Sequence, residues 1–103
     1  MGKLVRDKIP AIVKAEGRIR EFNFLDESDY VKALISKVHE EVEEVANSYS
    51  YENLLEELAD LQEVVDHLII ASDFTKAEVR KAQAKKRKAK GAFKRRYYMV
   101  DET

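Results

Sequence analysis

Apolar positions recur every three to four residues through most of this chain, and two stretches carry the pattern furthest. Tyr30, Val31, Leu34, Ile35, Val38, Val42 and Val45 share one arc of a helix, and Leu54, Leu55, Leu58, Leu61, Val64, Val65, Leu68 and Ile69 share one arc of another. This predicts a first long helix, capped by Asp26 or Ser28 and running to about Ala46, and a second from Tyr51 to about Ser72, capped by Ser50. Asn47-Ser48-Tyr49-Ser50 is a short connection that reverses the chain, so the two helices should pack antiparallel. Thr75-Lys-Ala-Glu78 matches a capping box and starts a third long helix that ends before Gly91. Near the N-terminus, Asp7 can cap a short helix through Glu16, with Pro10 in its first turn and Gly17 as the stop. Residues 18–25 alternate loosely and read as an extended connector or a short strand; residues 97–103 can either order on their own chain or cross to a partner. No repeat or low-complexity linker interrupts the pattern. The expected architecture is all-α, one domain over residues 1–103, with an antiparallel helical hairpin and further helices forming a four-helix-bundle-like core completed by oligomerisation.

Two acidic pairs break the apolar arcs. Glu41 and Glu44, like Glu57 and Asp60, stand three positions apart, so each pair shares one side of its helix about 60° apart. Glu41 and Glu57 project into the apolar arcs; Glu44 and Asp60 lie at their margins. Glu40, Glu43, Glu56 and Glu63 point outward, as solvated charges do. An unpaired carboxylate in a core costs several kcal/mol or takes up a proton. Across an antiparallel hairpin Glu41 and Glu57 are about equally far from the turn and meet at one level. Such a convergence calls for a cation, and a hard divalent ion is the natural choice: Mg²⁺, with Mn²⁺ as a substitute, takes oxygen ligands and bridges carboxylates to phosphates. The rival reading is an acid-rich solvated face.

Composition changes this picture little. Gly occurs three times and Pro once, and helix formers dominate. The absence of Cys excludes a disulfide framework, a thiolate metal site and a cysteine nucleophile. The longest uncharged apolar run, residues 68–72, is too short for a membrane span, and the opening residues lack the order of a secretory signal, so the expected compartment is the cytoplasm. Charge is more informative. Residues 1–74 carry 8 basic and 17 acidic side chains, net −9, whereas residues 75–103 carry 11 and 3, net +8. The acidic part holds the expected metal site, and the basic part suits an anion.

At this point the motifs resemble a known family. Lys37-Val-His-Glu40-Glu41-Val-Glu-Glu44, followed by Glu56-Glu57-Leu-Ala-Asp60-Leu, is similar to the paired EExxE and ExxD signature of the MazG-like all-α nucleoside triphosphate pyrophosphohydrolases, a superfamily that includes phosphoribosyl-ATP pyrophosphohydrolase and the dimeric dUTPases. The opening Lys3-Leu-Val-Arg-Asp-Lys-Ile-Pro10 and the run Lys86-Arg87-Lys-Ala-Lys90-Gly91-Ala-Phe93 resemble a small house-cleaning branch, over roughly residues 3–96. Two positions depart from that branch. Lys90 stands where it has Arg, which keeps the charge and loses the bidentate fork, and Ala92 stands where it has a second Gly.

The resemblance implies Mg²⁺-dependent hydrolysis of a nucleoside triphosphate, including noncanonical ones, between the α and β phosphates, giving a monophosphate and pyrophosphate. It further implies that Glu41, Glu44, Glu57 and Asp60 hold the metal and that the enzyme is a homodimer or a higher homo-oligomer; general acid–base chemistry adds that one carboxylate, Glu41 the first candidate, could accept the proton of the attacking water. Lys86, Arg87 and Lys90 would then hold the triphosphate while Gly91 lets backbone approach it, and Lys3, Arg6 and Lys8 invite the same reading; all of these equally suit solvated surface charges. If an aromatic side chain stacks on the base, Phe93 is the first choice. His39 and His67 read as surface partners of Glu43 and Glu63. The alternatives are phosphoribosyl-ATP pyrophosphohydrolase in histidine synthesis, a nucleic-acid-binding module using residues 76–96, and a catalytically inert or antitoxin-like bundle. The last two give no account of intact inward carboxylates, so no nucleic-acid partner is expected.

Overall fold

A computed structural model of the protein describes residues 2–101. Four helices follow one another: α1 (Ile9–Ala15), α2 (Glu27–Ala46), α3 (Tyr51–Ala71) and α4 (Lys76–Lys90). The fold is all-α, with no strand among the described residues. Residues 18–25 form an extended connector, and residues 97–101 run without regular structure. Glu102 and Thr103, the end of the tail considered above, lie outside the described residues.

The helix ends follow from local chemistry. Asp26 starts α2 by accepting the Asp29 N–H at 2.8 Å, and Ser50 starts α3 by accepting the Asn53 N–H at 3.0 Å. At α4 the capping box is complete: the Glu78 N–H donates to Thr75 Oγ1 at 3.1 Å, and the Thr75 N–H donates back to Glu78 Oε1 at 3.0 Å. The N-terminus of α1 differs from expectation. Lys8, not Asp7, occupies the cap position and makes no side-chain capping bond. Pro10 in the first turn presets φ and has no N–H to leave unpaired, so the start can do without a side-chain cap.

Two helices stop in the same way. Gly17, at φ 76°, closes α1 with hydrogen bonds from Arg18 N–H to the Val13 carbonyl and from Gly17 N–H to that of Lys14. Asp73, at φ 65°, closes α3 identically, with Phe74 N–H on Ile69 and Asp73 N–H on Ile70. A short polar side chain tolerates this left-handed position at some cost.

α2 and α3 pack antiparallel over the turn at residues 47–50 and form the body of the structure; α4 touches only the neighbouring part of α3. Leu34 and Val13 are the buried apolar residues, with 2% and 6% of their surface exposed. Much of the apolar pattern faces out: Ile35 and Val42 of α2, Leu55, Leu58 and Ile70 of α3, and Phe74 all remain about half exposed or more. The chain is correspondingly long and open. Its radius of gyration is 17.8 Å, against about 13 Å for a compact chain of this length. Among the described residues no helix is long and apolar enough to cross a membrane.

Candidate metal centre

The hairpin brings Glu41 of α2 together with Glu57 and Asp60 of α3. One carboxylate oxygen from each lies within 4.8 Å of the others. Two ligands of one Mg²⁺, each about 2.1 Å from it, are at most about 4.2 Å apart, so a small rotamer adjustment closes the group around an ion of this size. The donor set is all oxygen and carries three negative charges, which fits a hard divalent cation. Three of the four carboxylates expected at the site are therefore assembled. Glu44 is exposed and stands outside the group.

Burial is uneven among the three. Glu41 retains only 8% of its exposure, while Glu57 and Asp60 are half-buried. Desolvation pushes the Glu41 carboxyl above its ordinary value of 4.5; Lys37 pulls the other way, and Asp60, Glu40 and Glu57 add to the rise. Lys37 Nζ donates to Glu40 Oε1 at 3.2 Å and stands 3.7 Å from Glu41 Oε1, too far for a hydrogen bond. Lys37 thus leaves room for a closer positive charge on Glu41.

Asn53 holds the second carboxylate. Its Nδ2 donates to Glu57 Oε1 at 3.3 Å, while its Oδ1 accepts the backbone N–H of Tyr49 in the turn. Asp60 is held from outside the hairpin, where Arg6 Nη2 donates to Asp60 Oδ1 at 2.7 Å. Lys3 Nζ lies 3.9 Å from Glu40 Oε1. Residues 3–9 thus lie along the hairpin, and between the two is a cavity of about 590 Å³. Lys37, Glu41 and Asp60 line one part of it, and Tyr30, Leu34 and Val64 supply apolar wall. A cavity of this size holds a small organic ligand.

The basic residues divide in two. Lys3 and Arg6 line this cavity, as does Lys8. Lys86, Arg87, Lys90 and Gly91 are all exposed at the end of α4, and none of them lines it. Gly91 takes φ 84° as the helix stop, and open space surrounds its Cα. Phe93 is almost wholly exposed. His67 pairs with Glu63 at 2.9 Å, and both border the cavity. Two contributors escaped the sequence reading, Asn53 and Lys37. Each lies four positions before the carboxylate it approaches, a helical spacing that marks neighbours.

No family model matches the chain, and no solved structure does. A protein of Mycolicibacterium smegmatis, described only as uncharacterized, is 42% identical over 45 residues. That stretch covers 44% of this chain and 46% of the mycobacterial one, so the match spans less than half of either. It carries no function with it.

Proposed function

We propose that this chain is a Mg²⁺-dependent nucleoside triphosphate pyrophosphohydrolase, noncanonical nucleotides included, that releases pyrophosphate and a monophosphate. The single observation behind this reading is the meeting of Glu41, Glu57 and Asp60 beside a cavity that Lys3, Arg6 and Lys8 also line. Carboxylates alone suit many cations; carboxylates that share a cavity with Lys3 and Arg6 suit a cation carrying a polyphosphate. When bound, the ion supplies neutralisation of phosphate charge and polarisation of water.

The chain's own groups do the rest. Glu41, the most buried of the three, has a carboxyl raised above its ordinary value by burial, which makes it a stronger proton acceptor for water than a solvated carboxylate. Asn53 restrains Glu57 by a hydrogen bond to its Oε1, which would lower the ordering cost of holding the ion there. Lys3 and Arg6 offer positive charge to phosphate oxygens, and Tyr30, Leu34 and Val64 can shelter an uncharged part of the substrate from water. Glu44 would act only through a substantial side-chain movement, because it starts in solvent.

Oligomerisation belongs to the same reading. The apolar residues left exposed on both hairpin helices and the extended shape support a homodimer or higher homo-oligomer. In such an assembly Lys86, Arg87 and Lys90 of one copy would be available to the cavity of another. The metal motif also fits a phosphoribosyl-ATP pyrophosphohydrolase, but the opening Lys3–Pro10 block favours the first reading.

The test is pyrophosphate release from a panel of normal and modified nucleoside triphosphates plus phosphoribosyl-ATP, with Mg²⁺ present or chelated. Glu57→Gln is expected to abolish release by orders of magnitude while the helical circular dichroism persists. Wild-type release in that variant, or no release from any substrate, would remove the proposal.

A further inference from the structure

Arg6 makes a side-chain hydrogen bond unlike the others among the described residues. Its bond to Asp60 joins positions 54 apart, whereas the remaining side-chain hydrogen bonds among the described residues join positions no more than four apart. It ends on a carboxylate that is one of the three converging groups. The pair is also open to water, with 61% of the Arg6 side chain and 42% of the Asp60 side chain exposed. A contact so well solvated is weak, worth a factor of about two to five in an equilibrium, and breaks readily. Arg6 belongs to a stretch outside any helix, so its release unfolds nothing. The cavity lies beside it, and Lys3 and Lys8 line that cavity too.

We infer that Arg6 is an exchangeable counter-ion. It neutralises Asp60 while no divalent cation is held, gives up that carboxylate to the cation, and turns its freed guanidinium to a polyanionic ligand in the cavity. This rests on the divalent-cation reading above and adds an order to it: cation and polyanion each favour the other's binding, because both draw on the same arginine. Two positive charges compete for Asp60 when the cation arrives alone, and the polyanion relieves that competition.

The experiment titrates Mn²⁺ into the full-length chain by calorimetry, using wild type, Arg6→Gln, Lys8→Gln and Glu57→Gln. Lys8→Gln removes the same charge from the same cavity wall and serves as the control for general electrostatics. Arg6→Gln is expected to bind Mn²⁺ about two- to fivefold more tightly than Lys8→Gln. With Mn²⁺ saturating, the same variant should bind inorganic pyrophosphate about tenfold more weakly than wild type. Mn²⁺ affinity in Arg6→Gln equal to or weaker than that of Lys8→Gln overturns the inference and makes Arg6 a fixed strut that orients Asp60. Loss of Mn²⁺ binding in Glu57→Gln shows that such a failure belongs to Arg6 and not to the centre. If Glu57→Gln binds Mn²⁺ as wild type does, the cation reading falls and the inference with it.

Discussion

Surface area makes a strong demand on assembly. The chain exposes 9943 Å², whereas a folded monomer of 11.9 kDa is expected to expose about 5,900 Å². The excess is about 4,000 Å². Part of it belongs to the extended residues 18–25 and to the stretch after α4, yet about 1,000 Å² per chain is enough for an obligate dimer. Ile35 and Val42, seven positions apart, share a face of α2, and Leu55 and Leu58 offer apolar surface on α3; all four are about half exposed or more. In the proposed dimer, replacing Ile35 or Leu58 by Glu would place one unpaired carboxylate per copy in the apolar seam these residues are proposed to form. At about 2 kcal/mol for each copy, the dimer loses about 4 kcal/mol, or roughly a thousandfold in Kd. Light scattering coupled to size exclusion should give wild type at least twice the 11.9 kDa chain mass at micromolar concentration, and either variant the mass of a single chain. A Tm that rises with wild-type concentration and not with that of the variants would accompany it. Wild type eluting as a folded single chain at micromolar concentration refutes the reasoning.

Three further outcomes are expected. Because burial raises the Glu41 carboxyl above 4.5, the folded chain keeps that proton where the unfolded chain has lost it; the stabilisation is full below pH 4.5 and declines as pH rises through the raised value. Urea unfolding in chelator should show this decline in wild type, and Glu41→Gln should flatten it. Asp73→Gly relieves the left-handed backbone at the end of α3 and should add about 0.5 kcal/mol, while Asp73→Val should lower Tm by several degrees. A Lys86/Arg87/Lys90 triple alanine variant should lose kcat/KM for nucleotide hydrolysis, about 1.5–3 kcal/mol for each contact made to phosphate, with Mn²⁺ affinity unchanged. Unaltered kinetics together with lost, salt-sensitive binding of single-stranded or duplex nucleic acid would instead assign α4 to nucleic acid.

The helices were legible because their ends are marked by local chemistry: Asp26, Ser50, Thr75 and Glu78 cap within three residues of their own positions. The meeting of Glu41 and Glu57 was legible for a related reason, since a short turn makes depth along one helix a guide to depth along the next. Glu44 was not. A helical wheel gives its angle from the apolar arc but not the width of the partner that covers the arc. Among the described helices only α3 packs on α2, so the margin at Glu44 stays in water along with Ile35 and Val42. Arg6 on Asp60 was invisible for a third reason, because no periodicity links a non-helical N-terminal stretch to a position 54 residues away. Asp73 as a helix stop carried a weak signal, since Asp takes the left-handed position less often than Gly, the residue that ends α1 and α4.

The turn at residues 47–50 makes the centre an instrument of phase. Each residue added to a helix moves everything beyond it by about 100° and 1.5 Å. One residue inserted between Ser50 and Glu57 would therefore swing Glu57 and Asp60 out of the seam together, yet barely disturb the capping at either end. The same insertion inside the turn would only lengthen a loop, and both helices would keep their angular settings. Length variation among sequences that keep this centre should accordingly be found at the turn and be absent from the stretches 41–46 and 51–60. A gap at either of those places would mark a chain that retains the helices and has lost the chemistry.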